Sequence, residues 1–423
     1  MNEIYDVIVV GGGASGLMAA GRAAESFKQN GKVGRVLLLE KNKKMGEKLK
    51  ITGGGRCNIT NAEYDIRELL KYYGDAGKFL FSVFEKFGVK DTFSFFESRG
   101  LPLVVEERKR AFPASHKALD VYNVLEKYVK EGGVEIKTGS AVTKVNKEGK
   151  VVVSVNCGAQ EYFAKKFIFA TGGASHKETG STGDGFNWLR DLGHTVVAPT
   201  PSIVPLAVED EWSKKLAGTT LEDMKITFYV DGVKDFSKKG RLLFTHFGLS
   251  GPLILNSAST VADLLPAGEV TAIIDPFPSE DLGAFEKRII GVFDENKNKI
   301  VKNVLSEIVP AGMSKGVEFL INQINLIDLN KQVNDVRVEE RKKLVHLLKK
   351  LPVTITSLMG DDRAVVSDGG VSLEEIDMRT MQSKVVENLY VTGDLLHINR
   401  PSGGYSLQLC WTTGYVAGGE VMN

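Results

Sequence analysis

The sequence predicts an α/β fold with a parallel sheet begun by its first strands, then a β-rich and a helical stretch, and a last strand and helix at the C-terminal end. Three observations predict it. A short apolar strand runs straight into Gly11-x-Gly13-x-x-Gly16 and a helix. The composition shifts near residue 198, where APTPSIVPL carries Pro199, Pro201 and Pro205. The C-terminal stretch then repeats the opening in miniature: a strand, Gly393-Asp394, Gly403-Gly404 and a last helix.

The elements follow in order. Residues 4–10, IYDVIVV, form a short, β-branched apolar run that reads as a buried strand. The glycine turn leads into a helix through LMAAGRAAESF, and RVLLLE at 35–40 is the second buried strand. Together they make a βαβ unit, which implies a parallel sheet. Residues 41–62 read as a Gly- and Lys-rich loop, 65–100 as helical, and 117–131 as an amphipathic helix. A hairpin follows, with its turn at Asn146-Lys147-Glu148-Gly149, and then a strand, FIFA, that runs into Gly172-Gly173. From 198 to 280 the chain is mostly β, broken by a helix starting at Ser250-Gly251-Pro252, where proline suits the first helical position. Residues 281–352 are helical and polar. Strand-like, Gly-rich sequence resumes at 353. The expected domains are therefore 1–197, 198–280, 281–352 and 353–423.

At 423 residues the chain is too long for one core. Lys plus Arg number 54 against 53 Asp plus Glu, a net charge of +1. That balance gives no reason to expect nucleic acid or an anionic membrane as partner, since both demand a basic face. A small-molecule substrate and a monomer or homodimer are expected. The three cysteines form no C-x-x-C pair, which argues against a local redox disulfide or zinc site and for a reducing compartment. With no signal-peptide pattern at residue 1 and no apolar run of about 18 residues, the expected location is the cytoplasm.

The three fingerprint glycines allow a tight turn, close approach of a pyrophosphate and close helix–strand packing, while the helix N-terminus faces the phosphates. Glu40 ends the second strand 24 positions after Gly16. An acid there accepts hydrogen bonds from a ribose and repels a 2′-phosphate, which favours FAD or NAD over NADP. A strand–helix turn without ligand is the plainer reading of the glycines alone. The choice of FAD comes from the other end of the chain, because an extended, buried dinucleotide takes contacts from distant segments. Asp394 suits ribityl hydroxyls, and the helix after Gly404 would direct N–H groups at the flavin. By itself, Asp394 reads equally as a turn acid. The segment from Thr52 to Asn61, TGGGRCNITN, is a donor-rich loop bracketed by Ile51 and Ile59.

The sequence resembles the bacterial BaiN-like (YhiN-like) NAD(P)/FAD-dependent oxidoreductases, relatives of fumarate reductase flavoprotein subunits. The resemblance rests on VVGGGASGLMAA at 9–20, KITGGGRCNITN at 50–61, FPASHKA at 112–118, FIFATGGAS at 167–175, GSTGDGF at 180–186, LLFTHFGLSGP at 242–252, GGVSLEEID at 369–377 and VTGDLLHINRPSGGYSLQLCWTTGYVAG at 391–418. It implies a Rossmann-like FAD domain of the two-dinucleotide-binding (GR2) type with an inserted β-barrel-like domain and a helical subdomain. It places Gly11, Gly13, Gly16 and Glu40 on the ADP part, and Arg56, Cys57 and Asn58 near the cofactor. Gly172 falls at a second flavin-contacting turn, Asp394 on the ribityl chain, and Gly404 with Tyr405 at the flavin end. Ala14, Ser15, Lys41, Gly55, Val142, Thr171, Gly173, Gly393, Ser406 and Leu407 complete the candidate cofactor set. Relatives often carry small or acidic residues after the Gly-Asp step. Here the sequence reads Leu395 to Pro401, LLHINRP, a departure that leaves substrate preference open.

A flavin carries the hydride, so protein groups orient substrate and move protons. His246, placed between a strand and a helix start, reads as proton donor or substrate anchor, or equally as a satisfied structural histidine. Arg400 could clamp a carboxylate. Tyr405 could give a proton or merely pack. Cys57 has no sequence neighbour that would activate it. The leading function is a flavin oxidoreductase that reduces a C=C or C=O bond of a cyclic or carboxylated substrate. NADH or NADPH would be a transient donor, since only one full fingerprint is present. The alternative is a flavoprotein with an RNA-modifying or non-catalytic binding role, supported by the basic helix at 341–350 alone.

Overall fold

A seven-residue apolar strand needs both faces covered, and helices on either side of a parallel sheet supply that cover. The computed structural model describes residues 3–359 and 366–422. The chain divides into two compact units, Met1–Pro201 with Ala364–Asn423, and Ser202–Arg363.

In the first unit β1 (Ile4–Val10) leads through α1 (Ala14–Gln29) to β2 (Val36–Leu39). The helix α2 (Ala118–Gly132) returns the chain to β3 (Glu135–Lys137). Two more parallel strands are β4 (Gln160–Phe169) and, from the C-terminal end, β5 (Leu389–Val391), which precedes α3 (Tyr405–Glu420). Their order is β5-β4-β1-β2-β3. Val7, Ile8 and Val9 of β1 and all four residues of β2 are buried, each contributing on the order of 1.5–3 kcal/mol by leaving water. Because the five strands run parallel, Val10, Leu39, Phe169 and Val391 end at one sheet edge. The segments after them, far apart in sequence, gather there. The hairpin expected to turn at Asn146–Gly149 keeps its strand through Glu148 and turns at Gly149-Lys150, where Gly149 has φ +59°.

The second unit contains a closed six-stranded barrel. Around its ring run Leu206–Val208, Gly248–Ser250, Val233–Thr245, Thr220–Val230, Val270–Asp275 and Leu351–Leu358. Four helices, Leu282–Glu295, Val301–Ile308, Ser314–Gln323 and Val338–Lys349, fill the chain between the last two strands. The expected boundary at 353 is therefore corrected. Leu351–Leu358 pairs with Leu206–Val208 and with Val270–Asp275, closing the barrel rather than opening the C-terminal part of the sheet domain. Its alternation of buried Leu351, Val353 and Ile355 is that of any half-buried strand, so local pattern did not say which sheet it joins.

Candidate functional site

The carboxyl edge of a parallel sheet is where the backbone turns away and leaves a crevice. Gly11 donates its N–H to the Leu39 carbonyl at 2.8 Å, tying the fingerprint to β2. Gly16 is held against the same turn: a methyl there would sit 1.8 Å from the Gly11 carbonyl oxygen. Gly13, the N-cap of α1, has nothing within 4 Å of the position a Cβ would take, so the helix N-terminus opens onto free space. Ala14 and Ser15 begin that helix, and the buried Ser15 hydroxyl accepts from Thr392 Oγ1 at 3.2 Å. The two ends of the chain thus meet behind the fingerprint.

Glu40 is 8% exposed and accepts from the Gly12 N–H at 2.8 Å and the Asn42 N–H at 2.7 Å. Burial pushes its carboxyl above the ordinary range, against the pull of those two bonds. A carboxylate has about four acceptor sites, so capacity for a further donor remains. Lys41 turns away and pairs with Asp184 at 2.8 Å. Val142 is buried in the connection whose Ser140 N–H donates to the Glu40 carbonyl at 2.9 Å.

Thr171, Gly172 and Gly173 follow β4, and Gly172 has φ +73°. Thr171 Oγ1 and Asn58 Oδ1 are both buried without a hydrogen-bond partner, an uncommon state for a buried polar atom. In the 52–61 loop Gly55 has φ +85° and open space around it. Arg56 bonds Glu106, approaches His116 Nδ1 at 3.0 Å and lies 4.3 Å over the Phe112 ring. Cys57 is fully buried with φ +59°, and burial pushes its thiol up, so it is no reactive thiolate.

The C-terminal segment encloses the two catalytic residues expected there. Arg400 bonds Asp394, donates from Nη1 to the Ile398 carbonyl at 2.6 Å and from Nε to Ser406 Oγ at 3.1 Å, with 2% of its side chain exposed. Three internal partners hold the guanidinium in place. It pins the loop from Gly393 to Ser406. Tyr405 stacks on Tyr72 with centroids 4.6 Å apart and meets the Tyr73 ring edge-on. Burial and the bond to Tyr72 push its phenol up. Gly404, at φ +101°, lets the backbone pass Thr60, where a Cβ would lie 2.3 Å from the Thr60 carbonyl carbon. Leu407 packs against the core, and Gly393 donates to Thr413 Oγ1 at 3.0 Å. His246 lies in the other unit, exposed in the two-residue turn between Val233–Thr245 and Gly248–Ser250, not at a helix start.

One residue escaped the sequence reading. Lys48 donates to Ser175 Oγ at 2.6 Å, directly after the 171–173 turn. Its only sequence signal was a lysine just upstream of the glycine loop.

A model described as the HI0933-like protein Rossmann domain matches residues 5–420. The chain belongs to the HI0933-like Rossmann family. Among relatives of this HI0933-like chain, a 3-dehydro-bile acid delta(4,6)-reductase of Clostridium scindens is 31% identical over 97% of both chains. A ribosomal RNA dihydrouridine synthase of Haemophilus influenzae is 28% identical over 98% of both. In fold the family member is similar to a flavocytochrome c3 fumarate reductase (TM-score 0.54, 17% identity, 99% of this chain and 78% of the other). It is also similar to the 3-ketosteroid delta1-dehydrogenase of Sterolibacterium denitrificans (TM-score 0.52, 13% identity, 99% of each chain).

Proposed function

We propose that this HI0933-like chain is an FAD-dependent reductase of a C=C bond conjugated to a carbonyl group in a cyclic substrate, with NADH or NADPH as donor. The observation that carries the reading is the gathering of Gly11–Gly16, Glu40, Thr171–Gly173 and Gly393–Asp394 at one sheet edge. A dinucleotide held at that edge is served by separate segments, as an extended FAD requires. The residues fit the cofactor: the open cradle at Gly13, the acceptor capacity of Glu40 and the unpartnered Asn58 Oδ1 and Thr171 Oγ1 all await polar contacts. Bound FAD would supply the hydride. Glu40 would hold the adenosine ribose, the α1 N-terminus the diphosphate, and the Gly393–Leu407 segment the ribityl and flavin end. The bile acid reductase, covered over nearly its full length, supports a ring alkene as acceptor.

The rRNA dihydrouridine synthases support a second reading, in which the acceptor ring is a uracil in RNA. In the basic helix Arg341 is paired with Glu286 and Lys349 with Asp275, while Lys342, Lys343 and Lys350 are exposed. The deciding experiment is the anaerobic visible spectrum of the purified protein before and after NADH or NADPH. A flavin spectrum that bleaches, and recovers with an unsaturated ketone, supports the first reading. Recovery with uridine-containing RNA alone supports the second. A protein that takes up no FAD on reconstitution refutes both.

A further inference from the structure

Four cations near the crevice are committed. Arg400 is bound to Asp394, Lys41 to Asp184, Arg56 to Glu106, and Lys50 to Glu47 at 3.1 Å. Lys48 differs. Its polar contacts are the Ser175 hydroxyl at 2.6 Å and the Ser175 carbonyl at 3.4 Å, both neutral. Asp394 reaches it only through space. The side chain is half-buried, so its charge is partly desolvated yet still approachable.

Its backbone is fixed on the fingerprint side. Gly46 donates its N–H to the Gly12 carbonyl at 2.9 Å, and the helix Glu47–Ile51 starts from that anchor. Thr52 Oγ1 closes the turn on the Lys48 carbonyl at 2.9 Å. The other end of the side chain is fixed by Ser175, which is fully buried. Lys48 therefore spans from the fingerprint to the second glycine turn. A partly desolvated cation held by neutral groups gains most from a nearby anion, and the anion that fingerprints bind is a diphosphate.

We propose that Lys48 is the cation that binds the diphosphate of the dinucleotide, a proposal that rests on the FAD reading above. Burial also lowers the proton affinity of its amine, which a bound anion would restore.

The test is a titration of the deflavinated full chain with FAD, followed by quenching of flavin fluorescence, in wild type, Lys48→Met and Lys48→Arg. A hydrogen bond to a charged group is worth about 1.5–3 kcal/mol, so Lys48→Met should weaken FAD by about tenfold or more. ADP should lose about the same factor as a competitor. Riboflavin, which has no phosphate, should bind both proteins alike, and Lys48→Arg should recover most of the loss. Unchanged FAD and ADP affinity in Lys48→Met overturns the proposal. So does unchanged FAD affinity with a raised KM for the acceptor, because Lys48 would then serve the substrate. If Lys48→Met fails to fold by circular dichroism, Lys48→Gln carries the same titration. Wild type that binds neither FAD nor ADP refutes the FAD reading itself, and is distinguished by that from a failure confined to the variant.

Discussion

Glu40 and Asp394 invite comparison. Each is an acid set just past a buried parallel strand, and each reads in sequence as an acceptor for a sugar hydroxyl. Their surroundings are opposite. Glu40 is held by two backbone N–H groups, and the lysine next to it is committed elsewhere. Asp394 is held by a buried guanidinium that also grips Ile398 and Ser406. One carboxylate thus depends on the shape of the main chain, the other on a charge partner six residues away. Two carboxylates at equivalent places have two different supports, and a substitution at one should not mimic a substitution at the other.

The largest expected effect is at the charge-held acid. Removing one partner of a buried pair strands the other, at a cost of about 3–5 kcal/mol. Arg400→Met should therefore lower the stability of the apoprotein by that order, read by denaturant unfolding. Adding Asp394→Asn should recover part of it, because the stranded charge is gone. Loss from Arg400→Met with no recovery in the double variant would show that Arg400 acts through Ile398 and Ser406 rather than through Asp394.

Glu40→Gln comes next. The amide offers one oxygen to two backbone donors, so a hydrogen bond is lost at about 1–3 kcal/mol. The pH dependence sharpens the comparison. Burial raises the folded-state proton affinity of Glu40, so its contribution to stability is full below the ordinary glutamate pKa of about 4.3 and declines as pH rises through the raised value. The stability gap between wild type and Glu40→Gln should narrow on going from acid to neutral pH, measured by thermal unfolding across that range. A gap that widens would mean that Glu40 is stabilised as an anion, as if it had a cation partner after all.

These two acids also show how much was legible in the sequence. Ile4–Val10, the fingerprint and α1 are set by local pattern, periodicity and glycine spacing, and they appear where expected. So does α3, with Gly404 as its N-cap. What local pattern does not carry is the identity of a distant partner. Arg400 reads as a ligand clamp, and its bonds to Asp394, Ile398 and Ser406 come into view only in the fold. Tyr405 looks like an acid until Tyr72 and Tyr73 enclose it. Lys48 carries no local signal because its meaning depends on Ser175, 127 positions away. The misplaced boundary at 353 has the same origin, since Leu351–Leu358 has strand pattern but its partners are Leu206–Val208 and Val270–Asp275.

The smallest expected effect tests why Glu40 is backbone-held at all. Lys41 is adjacent in sequence, yet its ammonium pairs with Asp184 and leaves Glu40 to the amides. Asp184 is nearly half exposed, so screening limits the pair to about 0.2–1 kcal/mol. Burial alone would raise the Asp184 carboxyl, but the bonds from Lys41 and Thr182 outweigh it and hold it below the ordinary range. Its stabilisation is thus present above the ordinary aspartate pKa of about 3.9 and lost as pH falls, the reverse of Glu40. Lys41→Met should cost at most about 1 kcal/mol at neutral pH, should cost nothing in acid, and should leave FAD affinity within about twofold. A marked loss of FAD affinity would place Lys41 on the ligand instead, and Glu40 would then share a cation in the bound state, as Asp394 does in the free one.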